Sequence, residues 1–274
     1  MSKPSVILLG SKPGAAVALE IMLQRDWQVR IVVPSGHNSH DFIVGQRLGE
    51  LATKHGISLM KQSELPSEPV DFVISYMFRY KVKLPVLKLA TRAAINFHAG
   101  PLPEYGGWAF YNVAILENAL NYGCTCHHMD EGFDTGPLLQ VNRFPIDASQ
   151  ETAWSLERKT QEEMIRLFID FCNIAESGCD LPHIEQEKVR MRYLDKASFE
   201  KLKEIPVGAD DEAIQRHARA FFYPPYECAY VNVGGAKVEV LPRIAKQVIA
   251  ERLHYDDLNQ LHEVANCHLE RKSR

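Results

Sequence analysis

Continuous apolar runs alternate with stretches of helical spacing along the first two thirds of the chain. "SVILLG" (5–10) has no polar break after its first residue and stops at glycine, the pattern of a strand covered on both faces. "GAAVALEIMLQ" (14–24) has the spacing of a helix. "QVRIVVP" (28–34) predicts a second strand, and "DFIVGQRLGELATKHG" (41–56) a second helix that Gly56 stops. Strands are expected over 57–60 and 70–77, a short helix over 85–91, and a strand over "AAINFHA" (93–99). Beyond Gly107, "WAFYNVAILENAL" is helical in pattern, and "YGCTCHHM" (122–129) and "LLQVNRFPI" (138–146) are strands joined by "DEGFDTGP". A long amphipathic helix is expected over 152–178, ending at Gly178. This alternation implies right-handed βαβ units. The fold class is α/β, a Rossmann-like, mostly parallel sheet with helices on both faces.

The pattern changes near residue 180. "DDEAIQRHARAF" (210–221) predicts a short helix with Asp210 or Asp211 as cap. "AYVNVGGAKVEVLPR" predicts a hairpin around Gly234-Gly235, and "LNQLHEVANCHL" a final helix. The expected organisation is therefore a catalytic domain over 1–180 and a small α+β appendage over 181–274.

Composition narrows the function classes. Apolar residues make up 46% of 274, enough for a large core, and 31 basic against 35 acidic residues leave a formal net charge of -4. That balance speaks against nucleic-acid binding through bulk charge. The start "MSKPSVILLG" lacks a signal-peptide layout, and no stretch approaches the ~20 apolar residues that span a bilayer. Six cysteines without repeating spacing fit reduced thiols, and the expected location is cytoplasmic.

The candidate chemistry lies at the end of the strand 93–99. Asn96 and His98 stand two residues apart and so project from one face. In a parallel sheet that end is where ligands bind. An amide can donate to a developing oxyanion, and an imidazole can move a proton near neutral pH. A carboxylate is needed beside them. "MDEGFDTG" offers Asp130, Glu131 and Asp134, and Asp134, deep in the turn-forming stretch, is the best placed.

"INFHAGPLPEYGG" followed about 25 residues later by "MDEGFDTG" resembles the folate-dependent formyltransferase family, with Glu131 standing before Gly132. The resemblance covers roughly residues 1–180. It implies that Asn96, His98 and Asp134 are the catalytic trio and that N10-formyltetrahydrofolate is the formyl donor, with no metal. It implies a slot for the pterin built from Met77, Phe78 and Tyr80 and from the loop of Asp130, Gly132 and Phe133.

The acceptor is read from the same resemblance. "PLPEYGGW" and "RAFFYPPYECAYV" are similar to stretches of the sugar N-formyltransferase subgroup. The implied acceptor is the amine of a nucleotide-linked sugar, a dTDP-linked 3- or 4-amino-dideoxy sugar for surface polysaccharide. Such a site asks for stacked aromatics and for cations on a diphosphate. Phe221, Phe222, Tyr223 and Tyr226 are the stacking candidates, and Tyr105 is a further substrate-binding candidate. Lys12, Arg79, Lys81, Arg216 and Arg219 are the cation candidates. His127 and His128 are candidates to line the acceptor pocket. No nucleic-acid or membrane partner is expected, and the tail suggests a homodimer. Two alternatives remain: a methionyl-tRNA formyltransferase-like enzyme, which would normally carry a longer basic appendage, and a non-enzymatic nucleotide-binding module. "CTCHH" also permits a metal reading through Cys124, Cys126, His128 and Asp130, but zinc usually wants a wider loop between its ligand pairs.

Overall fold

The computed structural model describes residues 3–35, 47–107, 110–254 and 256–272. In chain order the elements are β1 (Ser5–Gly10), α1 (Lys12–Gln24), β2 (Gln28–Pro34), α2 (Leu48–Lys54), β3 (Ser58–Leu59), β4 (Val70–Tyr76), α3 (Leu84–Leu87) and β5 (Ala90–His98). Then follow β6 (Gly106–Gly107), α4 (Phe110–Leu116), β7 (Asn121–His128), β8 (Leu138–Pro145) and α5 (Ala153–Ser177). The last third holds β9 (Tyr193–Leu194), α6 (Lys196–Leu202), α7 (Asp211–Ala220), β10 (Ala229–Val233), β11 (Ala236–Val240), α8 (Ala245–Leu253) and α9 (Asp257–Lys272). The start of the helix expected over 41–56 falls outside the described residues; its remainder is α2.

The central sheet runs in the order β3-β2-β1-β4-β5-β7-β8. The first five strands are parallel, and β7 and β8 are antiparallel. Chain order reverses between β1 and β4, the switch point beyond which α/β sheets bind ligands. All six residues of β1 are buried, as its apolar run requires. Val6 and Leu8 join the larger core under α1 and α5, whereas Ile7 and Leu9 face the smaller core with Val82 and Val86. Rings carry much of the larger core: Phe97 lies 5.1 Å from Phe168 and 5.6 Å from Phe171.

Local chemistry sets the boundaries. Thr152 caps α5 by accepting the Ser155 N–H, and the left-handed Gly178 ends it. Asp210 caps α7 by accepting the Ala213 N–H. Gly234 and Gly235 both have positive φ, as the tight turn between β10 and β11 requires.

The chain past residue 180 shares the core of the sheet. Ile205, Ala220, Phe221 and Ala229 belong to the larger cluster, as do Leu261, Val264 and Ala265 of α9. α9 is tied to α1 by His262 bonded to Glu20 and to α5 by His268, 2.8 Å from Asp170.

Candidate active site

The cleft at the carboxyl ends of β1, β4 and β5 measures about 350 Å³. β5 creates it by alternation. Ile95 and Phe97 face the larger core, while Asn96 and His98 face the cleft with Ser75, the β4 partner of Asn96.

His98 is held from two sides. Nε2 is 2.7 Å from the carbonyl oxygen of Tyr105, so Nε2 carries the hydrogen and donates. That leaves Nδ1 as the working nitrogen, and it lies 3.5 Å from Asp134 Oδ1. The ring also meets the edge of Phe110 at 4.8 Å. Asn96 Nδ2 lies 2.9 Å from His127 Nε2, while His127 Nδ1 is 2.7 Å from the carbonyl oxygen of His128. With its hydrogen on Nδ1, His127 accepts from Asn96 and fixes which way the amide points. The second amide hydrogen of Asn96 remains for a ligand.

Asp134 closes the group. Its Oδ2 accepts the Gly107 N–H at 3.0 Å, and its Oδ1 lies 3.7 Å from His127 Nε2. Burial alone would raise its carboxyl. The charge of His98 and the Gly107 N–H outweigh burial and hold it well below the usual carboxylate range. The loop bends on Asp130, whose Oδ1 accepts from the Gly132 N–H at 2.8 Å and the Thr135 hydroxyl at 2.6 Å.

Backbone strain gathers at the same place. Lys12, Met77 and Asp134 all have positive φ, and all three line the cleft. A non-glycine residue held there costs on the order of 1–3 kcal/mol, and such outliers cluster at functional sites.

The structure brings most of the expected residues together. Met77, Phe78, Tyr80, Asp130, Gly132 and Phe133 line the cleft with the trio, and so do Lys12, Arg79 and Lys81. Lys81 Nζ stands 5.3 Å over the Phe133 ring. His127 also lines it, whereas His128 turns to donate to the carbonyl oxygen of Pro182 at 3.0 Å.

Several expected substrate contacts lie elsewhere. Phe221 and Phe222 are each 2% exposed; Phe221 packs in the main core and Phe222 against Trp154, so neither offers a stacking face. Arg219 donates from Nε to the carbonyl oxygen of Ala148 at 3.3 Å, and Arg216 pairs with Glu212, both outside the cleft lining. Tyr105 serves the site through its backbone carbonyl; its ring lies outside the cleft, over Tyr122. Tyr226 is half exposed beside Tyr223, at a ring separation of 5.6 Å. Tyr223 sits behind Lys12. Lys12 Nζ donates to its hydroxyl at 2.9 Å and lies 3.3 Å from Glu157 Oε1, and the Tyr223 hydroxyl donates to Glu157. Burial first, then the Glu157 charge, pushes the Tyr223 hydroxyl far up, so it stays protonated.

Cys124 and Cys126 are buried in the main core, and burial pushes both thiols well up. Among the described residues no three His, Cys, Asp or Glu side chains are grouped to hold a metal. Sequence reading overlooked the Gly107 N–H and Tyr193, which lines the cleft from the far segment. Neither has a local signal, because both depend on the pairing of two-residue strands β6 and β9.

The sequence model described as formyl transferase matches residues 53–171. GDP-perosamine N-formyltransferase of Brucella melitensis is 30% identical over 181 residues, covering 64% of this chain and 65% of that enzyme. The chain thus spans slightly less than two thirds of that relative. Methionyl-tRNA formyltransferase of Nitrosospira multiformis is 30% identical over 248 residues, covering 85% of this chain and 78% of that protein. Among solved structures, an N-formyltransferase from Helicobacter canadensis, in complex with folinic acid and dTDP-3-aminofucose, superposes with a TM-score of 0.69. It is 22% identical and covers 85% of each chain, a likeness of fold.

Proposed function

The chain belongs to the formyl transferase family, and from that premise we propose that it moves a formyl group from N10-formyltetrahydrofolate to the amine of a nucleotide-linked amino sugar, a dTDP-linked 3- or 4-amino-dideoxy sugar for surface polysaccharide. The observation that carries the reading is the convergence of Asn96, His98 and Asp134 in one cleft. Its size lies within the range of small-molecule sites. Met77, Phe78, Tyr80 and Phe133 supply the apolar wall a pterin needs, and Lys12, Arg79 and Lys81 the positive charge a diphosphate needs.

The chemistry follows from what these groups can hold and move. The acceptor amine attacks as the free base, forming a C–N bond to the formyl carbon. Asn96 gives its second amide hydrogen to the carbonyl oxygen as that oxygen becomes negative. His98, protonated on Nδ1, adds its positive charge. Asp134 holds that proton on the cleft side of the ring and takes the proton the amine gives up. As the tetrahedral centre collapses, the bond from the formyl carbon to N10 breaks and N10 takes up the proton that the amine gave to Asp134. The products are the formamide and tetrahydrofolate, and each donor is worth about a hundredfold or more in rate.

A sugar is favoured over methionyl-tRNA because basic and acidic residues balance in the segment 181–274, and tRNA binding needs a basic surface. The greater coverage of the tRNA enzymes supports that second reading. The test is tetrahydrofolate release with formylated folate and a panel of dTDP- and GDP-linked amino sugars, run beside methionyl-tRNA. Release with a sugar supports the reading; release with methionyl-tRNA alone overturns it.

The same reading places the enzyme in the cytoplasm, with its two water-soluble substrates, as a homodimer. The exposed Val233, Val238 and Leu241 around the hairpin motivate the dimer. A single monomer species in sedimentation velocity at micromolar concentration, or activity confined to a membrane fraction, would contradict these two assignments.

A further inference from the structure

We propose that Gln186 is a positioning residue for formyl transfer, holding Asp134 against His98 from behind the cleft. The inference rests on the formyl-transfer reading above, and it concerns a side chain outside the cleft lining.

Gln186 lies on the segment that leaves α5 and crosses the back of both catalytic loops. The segment is stitched to β8 by a two-way backbone pair between Leu138 and Ile184, at 2.8 and 3.0 Å. Two residues on, Gln186 Nε2 donates to the carbonyl oxygen of Asp134 at 2.8 Å and to that of Gly136 at 2.7 Å. One amide nitrogen thus spends both of its hydrogens on the loop that presents the carboxylate.

The orientation of that amide is fixed by chemistry. Both neighbours are carbonyl oxygens, which only the NH₂ end can meet. The consequence is visible at the other end, where Gln186 Oε1 is buried without a hydrogen-bond partner among the described residues. Asp134 has positive φ, so its backbone sits in a conformation that needs outside support. Gln186 grips the strained residue at its own carbonyl and the loop again two residues later.

The same segment reaches the other half of the site. Arg192 N–H donates to the carbonyl oxygen of Pro103 at 3.1 Å, and Gly106 N–H donates to the carbonyl oxygen of Arg192 at 3.2 Å. β9 pairs with β6. The loop so held carries the Tyr105 carbonyl that anchors His98 and the Gly107 N–H that anchors Asp134. One stretch of chain therefore fixes the partners of the imidazole and of the carboxylate together. Gln186 is the member whose side chain acts on Asp134.

A group acting only through Asp134 affects the transition state more than either substrate's binding. Gln186→Leu, of similar size and unable to donate, is expected to lower kcat about ten- to a hundredfold while KM for each substrate stays within about threefold. Gln186→Glu supplies a readout that a merely structural role would not move. Ionised, its carboxylate would face two carbonyl oxygens; protonated, it can donate to one of them. Its kcat relative to wild type is expected to rise as the pH falls from about 8 to about 6. Amide exchange at Gly107, followed without substrates, is expected to quicken in Gln186→Leu because its acceptor, Asp134 Oδ2, is no longer held. That last measurement separates the two proposals. If the wild-type protein transfers formyl to no acceptor but Gly107 exchange quickens in the variant, the functional reading fails and the hold of Gln186 on Asp134 stands. Unchanged kcat with unchanged Gly107 exchange overturns the positioning role. So does a loss in both KM values matching the loss in kcat, or a Gln186→Glu variant whose deficit does not vary with pH.

Discussion

His98 Nδ1 lies 3.5 Å from Asp134 Oδ1, although one residue ends a central strand and the other turns a loop beyond the next strand. The imidazole can occupy only this place because its other nitrogen is committed to the Tyr105 carbonyl. A carboxylate facing an unprotonated nitrogen would be repelled. A hydrogen on Nδ1 would bridge ring and carboxylate.

The first prediction concerns pH. The Asp134 carboxyl is held well below its ordinary value, so it stays ionised through the weakly acid range. Asp134→Asn should lower the plateau of kcat by about a hundredfold or more without moving the acid limb of the rate profile. In stability the sign is that of a depressed acid. The contribution is present above the unfolded value, about 3.9, and is lost as the pH falls through the lower, folded value. Urea denaturation of both proteins at stepped pH checks it. An acid limb that shifts in the variant would assign that limb to Asp134 and contradict the prediction.

A second prediction follows from the space around Gly100. A methyl group there would stand 2.7 Å from the Tyr105 carbonyl oxygen and 2.8 Å from His98 Nε2, wedging apart the bond that orients the ring. Gly100→Ala should destabilise the fold by about 1–3 kcal/mol and cut kcat by about tenfold or more. Chemical denaturation and steady-state kinetics on one preparation read both. A variant with wild-type kcat would show that the Tyr105 contact does not matter for the rate.

The third concerns Lys12. Tyr223 reaches the cleft through Lys12, which its hydroxyl links to Glu157. Tyr223→Phe removes that link and leaves the direct Lys12–Glu157 pair. A net hydrogen bond is worth about 0.5–1.5 kcal/mol, so the acceptor KM should rise about three- to tenfold. The kcat and the folate KM should stay within about twofold. A fall confined to kcat would place Tyr223 in the chemistry instead.

Much of this was legible in the sequence because its causes are local. The apolar run 5–10, the glycine stop of α5 and the paired glycines of the hairpin gave their elements nearly to the residue. Asn96 and His98 share a face by the two-residue period of a strand, and the turn-forming stretch and then the resemblance both pointed to Asp134. What was not legible depends on distant pairing. Gln186 sits in "HIEQEKVR", which has no apolar period, and only the fold reveals the two carbonyls it meets. Phe221 and Phe222 could be ligand platform or core, and nothing in composition separates the two. Burial against α5 and Trp154 decides for core. The expected helix over 85–91 gave way to α3 and the start of β5, because Ala90 pairs with Val70 in the sheet. α8 was not anticipated, since its residues lie mostly exposed and its apolar pattern is weak.

Formyl transfer through Asn96 and His98 is tested most directly by the transfer rate at saturating formylated folate and amino-sugar nucleotide, measured for the wild-type protein and for Asn96→Ala and His98→Asn with matching melting curves. Each substitution is expected to lower kcat by at least about a hundredfold with the fold retained. Wild-type rates in both folded variants would mean that formyl transfer does not pass through these side chains.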